Sequence, residues 1–257
     1  MMKKFGHNSV VLFLRACLYF IGTFSTILFF SPLSLLLVIL FVPYRWRFKI
    51  ISRWGHFNIW WLKITCGVGY RVEGLGNIPN DTAAIIYSKH ESTWETYAMQ
   101  KFFPPHAWIM KRELLWIPLF GWGLASLNPI AIDRKSGSKA IHQITDLGTR
   151  KLNEGQWVMV FPEGTRVKNG RMKRFGIGGA LLAEKSGFPI IPVAHNAGAF
   201  WPRGKFIKTP GTIQIVIGQP ILSTGKTVSE INAEAEQWMQ TTMERINGRA
   251  IEIVARK

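Results

Sequence analysis

The chain has 257 residues, enough for one large domain or for one domain with an appendage. Lys and Arg outnumber Asp and Glu by 32 to 15, a formal charge of +17, beside 11 Trp and 17 Phe. The charge suits an anionic partner, and aromatics mixed with Lys and Arg favour a lipid–water interface; without any RNP-like, helix-turn-helix or zinc-finger pattern, nucleic acid is not the expected partner.

Between Arg15 and Arg45 lie 29 residues without a formal charge. As a single helix they would run roughly 43 Å, against a hydrocarbon core of about 30 Å. The run is too long for a cleavable signal and lacks a small-residue cleavage site. Pro disfavours a helical residue before it, so Ser31-Pro32 predicts a break into two halves, each too short to span. Lys3, Lys4 and Arg15 precede the run, and Arg45, Arg47, Lys49 and Arg53 follow it. Basic flanks at both ends favour a re-entrant hairpin in one leaflet, with a single tilted span as the alternative. Phe57 to Gly67 then reads as an interfacial aromatic helix. Both cysteines, Cys17 and Cys66, fall in this N-terminal region and form no CxxC pair, so neither a metal site nor a disulfide framework is expected.

From about Tyr70 short apolar, β-branched runs alternate with helical stretches. The candidate strands are YRVEG (70–74), TAAIIYS (82–88), HAWIMK (106–111), NPIAID (128–133), QWVMVF (156–161), PIIPVAH (189–195) and TIQIVIG (212–218). Several are continuously apolar, as strands covered on both faces should be. Helices are predicted near Trp94–Phe102, Ser136–Asn153 and Gly178–Ser186, and over a last stretch that sets Ile231, Trp238, Thr242 and Ile246 at helical spacing. The expected fold class is α/β, with a mixed, largely parallel sheet flanked by helices and preceded by a membrane-anchoring helical segment. The expected division is an anchoring region over residues 1–66 and one α/β domain over residues 67–257.

Four segments carry possible chemistry. In SKHESTWET, His90 follows a strand and so sits at the edge where α/β folds place ligands. A neutral imidazole, with a reference pKa of about 6.5, accepts a proton near pH 7, and a carboxylate such as Glu95 steadies its tautomer. The competing reading is a capping box, in which Ser92 caps the helix and Glu95 returns to the Ser92 amide. On an ideal helix, positions five apart diverge by about 140°, so the two side chains meet only if His90 lies in the preceding loop. In the second segment, Lys111 and Arg112 end one strand and Arg134 ends another, while Gly121 and Gly123 bracket a turn; alone this is a solvated basic edge. The third is VFPEGTR, where Glu163, Gly164 and Arg166 make either a tight turn or a clamp for phosphate or polyol. The fourth, FPIIPVAHN, reads as a wall ending at His195.

In this order, HESTWE, KRELLWIPLFG…AIDR, FPEGTR and FPIIPV resemble the four blocks of the glycerolipid acyltransferase family, most of all its bacterial members that acylate 1-acyl-sn-glycerol 3-phosphate. The resemblance covers about Tyr70 to Gly218, and FPEGTR is its most specific part. It implies His90 and Glu95 as the catalytic dyad, with Glu95 one methylene longer than the family's usual Asp and Lys89 in place of the usual preceding Asn. It implies acceptor binding by Glu163, Gly164 and Arg166, and by the basic positions Lys111 and Arg134. A basic residue the family often carries after the third block is replaced by Gly176, with Lys173 and Arg174 just before Phe175. The implied reaction is acyl transfer from a thioester, acyl-CoA or acyl carrier protein, to the sn-2 hydroxyl of lysophosphatidic acid, with no metal or bound cofactor. Another lysolipid or glycerol 3-phosphate stays open as acceptor. Anionic membrane lipid is the expected surface partner, and the cytoplasmic (inner) membrane, with the catalytic domain facing the cytosol, the expected location.

Overall fold

A computed structural model describes residues 9–255 of the chain; Lys3 and Lys4, the first basic flank, lie outside the described residues. Two helices open the fold, α1 (Ser9–Ile39) and α2 (Tyr44–Cys66). The predicted break at Ser31-Pro32 is not there: α1 runs through Pro32, and the chain reverses instead over residues 40–43. Pro32 supplies no backbone N–H, but local side chains pin this stretch. Ser34 Oγ donates to the Ser31 carbonyl at 2.6 Å, and Ser31 Oγ to the Leu119 carbonyl at 2.7 Å. The aromatic stretch read at Phe57 to Gly67 is the second half of α2, which ends where Gly67 takes the left-handed conformation (φ 68°).

The two helices meet along a polar seam. Thr23 Oγ1 donates to Asn58 Oδ1 at 2.7 Å, and the Tyr19 hydroxyl to the same oxygen at 3.3 Å. Trp61 lies so close to Gly22 that a Cβ there would stand 2.2 Å from its indole nitrogen, which donates to the Leu18 carbonyl. The opposite face of α1 is apolar and open, with Ile21, Phe24 and Leu28 each more than 60% exposed. By length and composition α1 is able to cross a membrane.

All seven predicted strands form, as β1 (Val68–Glu73), β2 (Ile85–Ser88), β3 (His106–Lys111), β4 (Ile130–Ile132), β5 (Trp157–Val160), β7 (Ile190–His195) and β8 (Gly211–Ile217). They make one seven-stranded sheet in the order β1-β8-β7-β2-β5-β3-β4. Every neighbouring pair is parallel except β7 and β8, which brings the C-terminal ends of β7, β2, β5, β3 and β4 to one edge. A separate parallel pair, β6 (Arg171–Lys173) with β9 (Glu252–Val254), is too short and polar to show a strand pattern.

Helices α3 (Trp94–Phe102), α5 (Ser138–Asn153), α6 (Ile177–Ser186) and α7 (Val228–Asn247) follow the predicted stretches within a residue or two where bounds were set. Thr227 and Glu230 form a reciprocal capping box that starts α7. The additional helix α4 (Phe120–Ser126) occupies the segment read as a glycine turn. Gly121 permits it, because a Cβ there would stand 2.2 Å from the Leu115 carbonyl oxygen. Leu, Ile, Val and Trp side chains of the strands and helices fill the main core, and Leu37, Phe48, Ile51 and Leu127 form a smaller second cluster. Lys208 fastens α1 to this body, its ammonium 3.6 Å from the ring centroid of Phe20 and 4.7 Å from that of Tyr19.

Candidate active site

β2 ends at Ser88, and the next residues, Lys89 and His90, leave the sheet at its C-terminal edge. Six bonds hold them there. Lys89 N donates to the Val193 carbonyl at 2.9 Å, and the Lys89 carbonyl accepts from His195 Nε2 at 2.8 Å. The Lys89 ammonium reaches both oxygens of Glu163, at 2.8 and 2.9 Å. His90 N donates to Glu163 Oε2 at 3.1 Å, and the His90 carbonyl accepts from Val167 N at 2.8 Å.

The imidazole is fixed as firmly as its backbone. Nδ1 lies 2.8 Å from Glu95 Oε1, and since an ionised carboxylate only accepts, Nδ1 donates and Nε2 carries the free lone pair. The ring stacks on Phe161, with centroids 3.8 Å apart and planes 13° from parallel. The same Glu95 oxygen accepts from Glu91 N at 3.0 Å and Ser92 N at 2.8 Å. Half of the predicted capping box is therefore present. Ser92 Oγ bonds the Trp94 amide at 3.2 Å instead of completing it, and Thr93 is the residue at the helix start.

Burial works against charge on Glu95, but His195, the His90 contact and the Ser92 amide outweigh it and hold the carboxyl below its ordinary value. Burial lowers the basicity of His195, whose Nε2 anchors the Lys89 carbonyl. Glu91 differs from Glu95. Burial, with the nearby charges of Glu95 and Glu163, pushes its carboxyl up to about 7 against the pull of Lys89, whose ammonium is 3.6 Å away.

Glu163 is buried and spends its carboxylate inside the chain, on Lys89, on His90 N and on Lys173 N at 3.0 Å. It faces the segment behind His90 and does not line the cavity that His90 opens on. Glu163 and Gly164 border a neighbouring cavity of about 460 Å³. Gly164 sits at φ 69°, which gives the PEGT turn its shape. At the position lacking the basic residue, Gly176 N bonds the Pro162 carbonyl at 2.8 Å, and Arg174 turns away to pair with Glu236 at 2.9 Å.

The cavity containing His90 holds about 420 Å³. Lys111, Arg166 and Arg203 supply its cations, and no Asp or Glu lines it among the described residues. Arg166 has a buried Nε without a hydrogen-bond partner among those residues. Much of the rest of the lining is apolar, from Phe30 of α1, Ile51 and Trp54 of α2, and Phe120 and Leu124 of α4, with Ser31, Thr96 and Gln100 among it. Arg134 begins the short turn after β4, and its side chain lies outside the described residues. No group of three or more His, Cys, Asp or Glu able to hold a metal occurs among the described residues.

Sequence reasoning passed over Arg203 and the buried Lys89–Glu91–Glu163 cluster. For Arg203 there was a signal: the run FWPRG, a Pro-Arg-Gly turn after a strand that ends at the same sheet edge. The cluster had none, since Lys89 and Glu163 are 74 positions apart.

The acyltransferase family profile matches residues 69–196, from β1 to just past His195. A 1-acyl-sn-glycerol-3-phosphate acyltransferase of Pseudomonas aeruginosa is 41% identical over 93% of this chain and 94% of its own length. A chloroplastic protein of the same description from Arabidopsis thaliana is 31% identical over 72% of this chain, which matches about half (51%) of that longer protein. The crystal structure of a 1-acyl-sn-glycerophosphate acyltransferase, PlsC, from Thermotoga maritima superposes with a TM-score of 0.77 at 26% identity, over 92% of this chain and 96% of that one.

Proposed function

The chain belongs to the acyltransferase family, and we propose that it moves a fatty acyl group from a thioester to the sn-2 hydroxyl of 1-acyl-sn-glycerol 3-phosphate, giving phosphatidic acid. The observation that carries this is the His90–Glu95 contact of 2.8 Å beside a cavity lined by Lys111 and Arg166 together with many apolar side chains. A lysolipid asks for both kinds of lining, with a phosphate for the cations and an acyl chain for the apolar side chains.

His90 Nε2 takes the proton of the sn-2 hydroxyl as its oxygen attacks the thioester carbonyl, and Glu95 steadies the imidazolium that results. The C–O bond forms, the C–S bond breaks, and the imidazolium returns its proton to the departing thiolate. Lys111 and Arg166 hold the phosphate so that the hydroxyl meets Nε2, a positioning effect large enough to matter on its own. Arg134 belongs to the same basic edge. Glu163 and Gly164 serve the acceptor indirectly, Glu163 by bracing the His90 amide and Gly164 by shaping the turn that presents Arg166. The thioester, of coenzyme A or of acyl carrier protein, is a co-substrate.

Residues 1–66 act as the membrane anchor and residues 67–257 as the catalytic domain. Basic residues at Arg45, Arg47, Lys49 and Arg53 favour a cytosolic face against anionic lipid of the inner membrane. The test is an acceptor panel. Purified protein is given a labelled acyl thioester with lysophosphatidic acid, glycerol 3-phosphate or lysophosphatidylethanolamine. Phosphatidic acid is the expected main product, and faster acylation of either other acceptor contradicts the assignment.

A further inference from the structure

We infer that Arg203 is a third cation of the acceptor's phosphate site and sets the preference for an acceptor that carries a phosphate monoester. The inference rests on the function proposed above. Arg203 lines the cavity that holds His90, Lys111 and Arg166, although it comes from the loop after β7, far from the segments that supply the others.

Its position is built rather than accidental. Trp201 is buried, with its ring 5.4 Å from Tyr19 and its amide bonded to the Ala197 carbonyl at 2.9 Å. A tight turn follows, with Lys205 N on the Pro202 carbonyl at 3.1 Å and Gly204 at φ 69°, so Arg203 projects from a fixed corner. Its Nη1 donates to the Arg166 carbonyl at 3.2 Å and lies 3.5 Å from Thr165 Oγ1. That couples the corner to the turn presenting Arg166. Those bonds use Nη1, and a guanidinium has further N–H groups in the same plane to offer a ligand.

Two observations call for an anion at this place. Lys111, Arg166 and Arg203 line the cavity without an acidic lining residue, and a buried Arg166 Nε is without a hydrogen-bond partner, both among the described residues. A buried donor left unpaired is costly, and an anionic oxygen relieves it. A phosphate monoester, with its second pKa near 6, is mostly a dianion at pH 7 and presents three oxygens, enough for a forked contact from each of two arginines and a point contact from Lys111. A neutral monoacylglycerol has nothing to offer them.

The experiment compares wild type, Arg203→Gln and Arg203→Lys, each full length and purified, with one acyl-CoA donor and two acceptors, 1-oleoylglycerol 3-phosphate and 1-oleoylglycerol. For Arg203→Gln the expected result is a rise of about 10- to 100-fold in KM for the phosphate acceptor, exceeding any loss in kcat. The ratio of kcat/KM between phosphate and neutral acceptors falls at least tenfold, and Arg203→Lys falls between Gln and wild type. A purely structural brace lowers both acceptors by the same factor and lowers the unfolding temperature, and that result overturns the inference. A wild type that makes no phosphatidic acid overturns the proposed function and this inference with it. A wild type that makes it, with KM and ratio unmoved in Arg203→Gln, overturns this inference alone.

Discussion

Glu95 Oε1 receives the Nδ1 proton of His90 at 2.8 Å and, on the same oxygen, the amides of Glu91 and Ser92 at 3.0 and 2.8 Å. The helix-start and acid–base readings of SKHESTWET are thus two descriptions of one atom. Because α3 begins only at Trp94, His90 lies in the loop before it and folds back over the helix end. Glu95 is committed by backbone donors before any substrate arrives, so the imidazole has one orientation to adopt.

Glu95→Gln keeps the shape and the oxygen that the amides need but removes the charge that steadies an imidazolium. We expect kcat to fall about 10- to 1,000-fold, within the range of general-base catalysis, with little change in unfolding temperature. Initial-rate assays beside thermal unfolding check this; equal losses in stability and rate would assign Glu95 to folding alone.

Lys89 and Glu163 form a buried pair at 2.8 Å directly behind the His90 backbone. Removing one partner leaves an uncompensated charge, so Lys89→Met is expected to cost about 3–5 kcal/mol, and adding Glu163→Gln to it should recover part of the loss. Lys89→Asn, the residue usual in the family, is expected to be no milder, because the shorter amide supplies no charge to Glu163. Thermal unfolding of wild type, Lys89→Met, Glu163→Gln and the double variant measures the coupling; strictly additive losses would dissolve the pair.

Much of the fold was legible because its strands are continuous apolar runs bounded by Gly, Pro and polar residues, and such runs have few alternatives to a covered sheet. The side-chain contact that was legible, His90 with Glu95, lies within one short contiguous segment. What stayed hidden depends on long-range packing. Pro32 continues a helix because the surrounding helical turns and side chains hold it, and α4 forms around Gly121 only because Leu115 approaches that closely. Glu163 looked like a ligand group from its place in FPEGTR, yet the unusual Lys89 lies opposite it in the core.

Glu91 gives the protein a titration near neutrality. Its carboxyl stays protonated in the fold up to about 7, against an ordinary value of 4.5, so the stability due to the neutral form is complete below about pH 4.5 and is lost as pH rises through 7. Glu91→Gln removes that slope. Relative to wild type, the variant should gain on the order of 3 kcal/mol between pH 4.5 and pH 8, at about 1.4 kcal/mol per pH unit across the shifted window. Unfolding measured at both pH values decides it, and parallel curves for the two proteins would refute it.

The central claim is that His90, oriented by Glu95, activates the sn-2 hydroxyl of lysophosphatidic acid. The most direct measurement is the initial rate of phosphatidic acid formation from lysophosphatidic acid and a labelled acyl-CoA by purified wild type and His90→Ala. The wild type should form phosphatidic acid, and the variant should do so about 10²–10⁴-fold more slowly while remaining folded. Turnover by His90→Ala near the wild-type rate would contradict the claim.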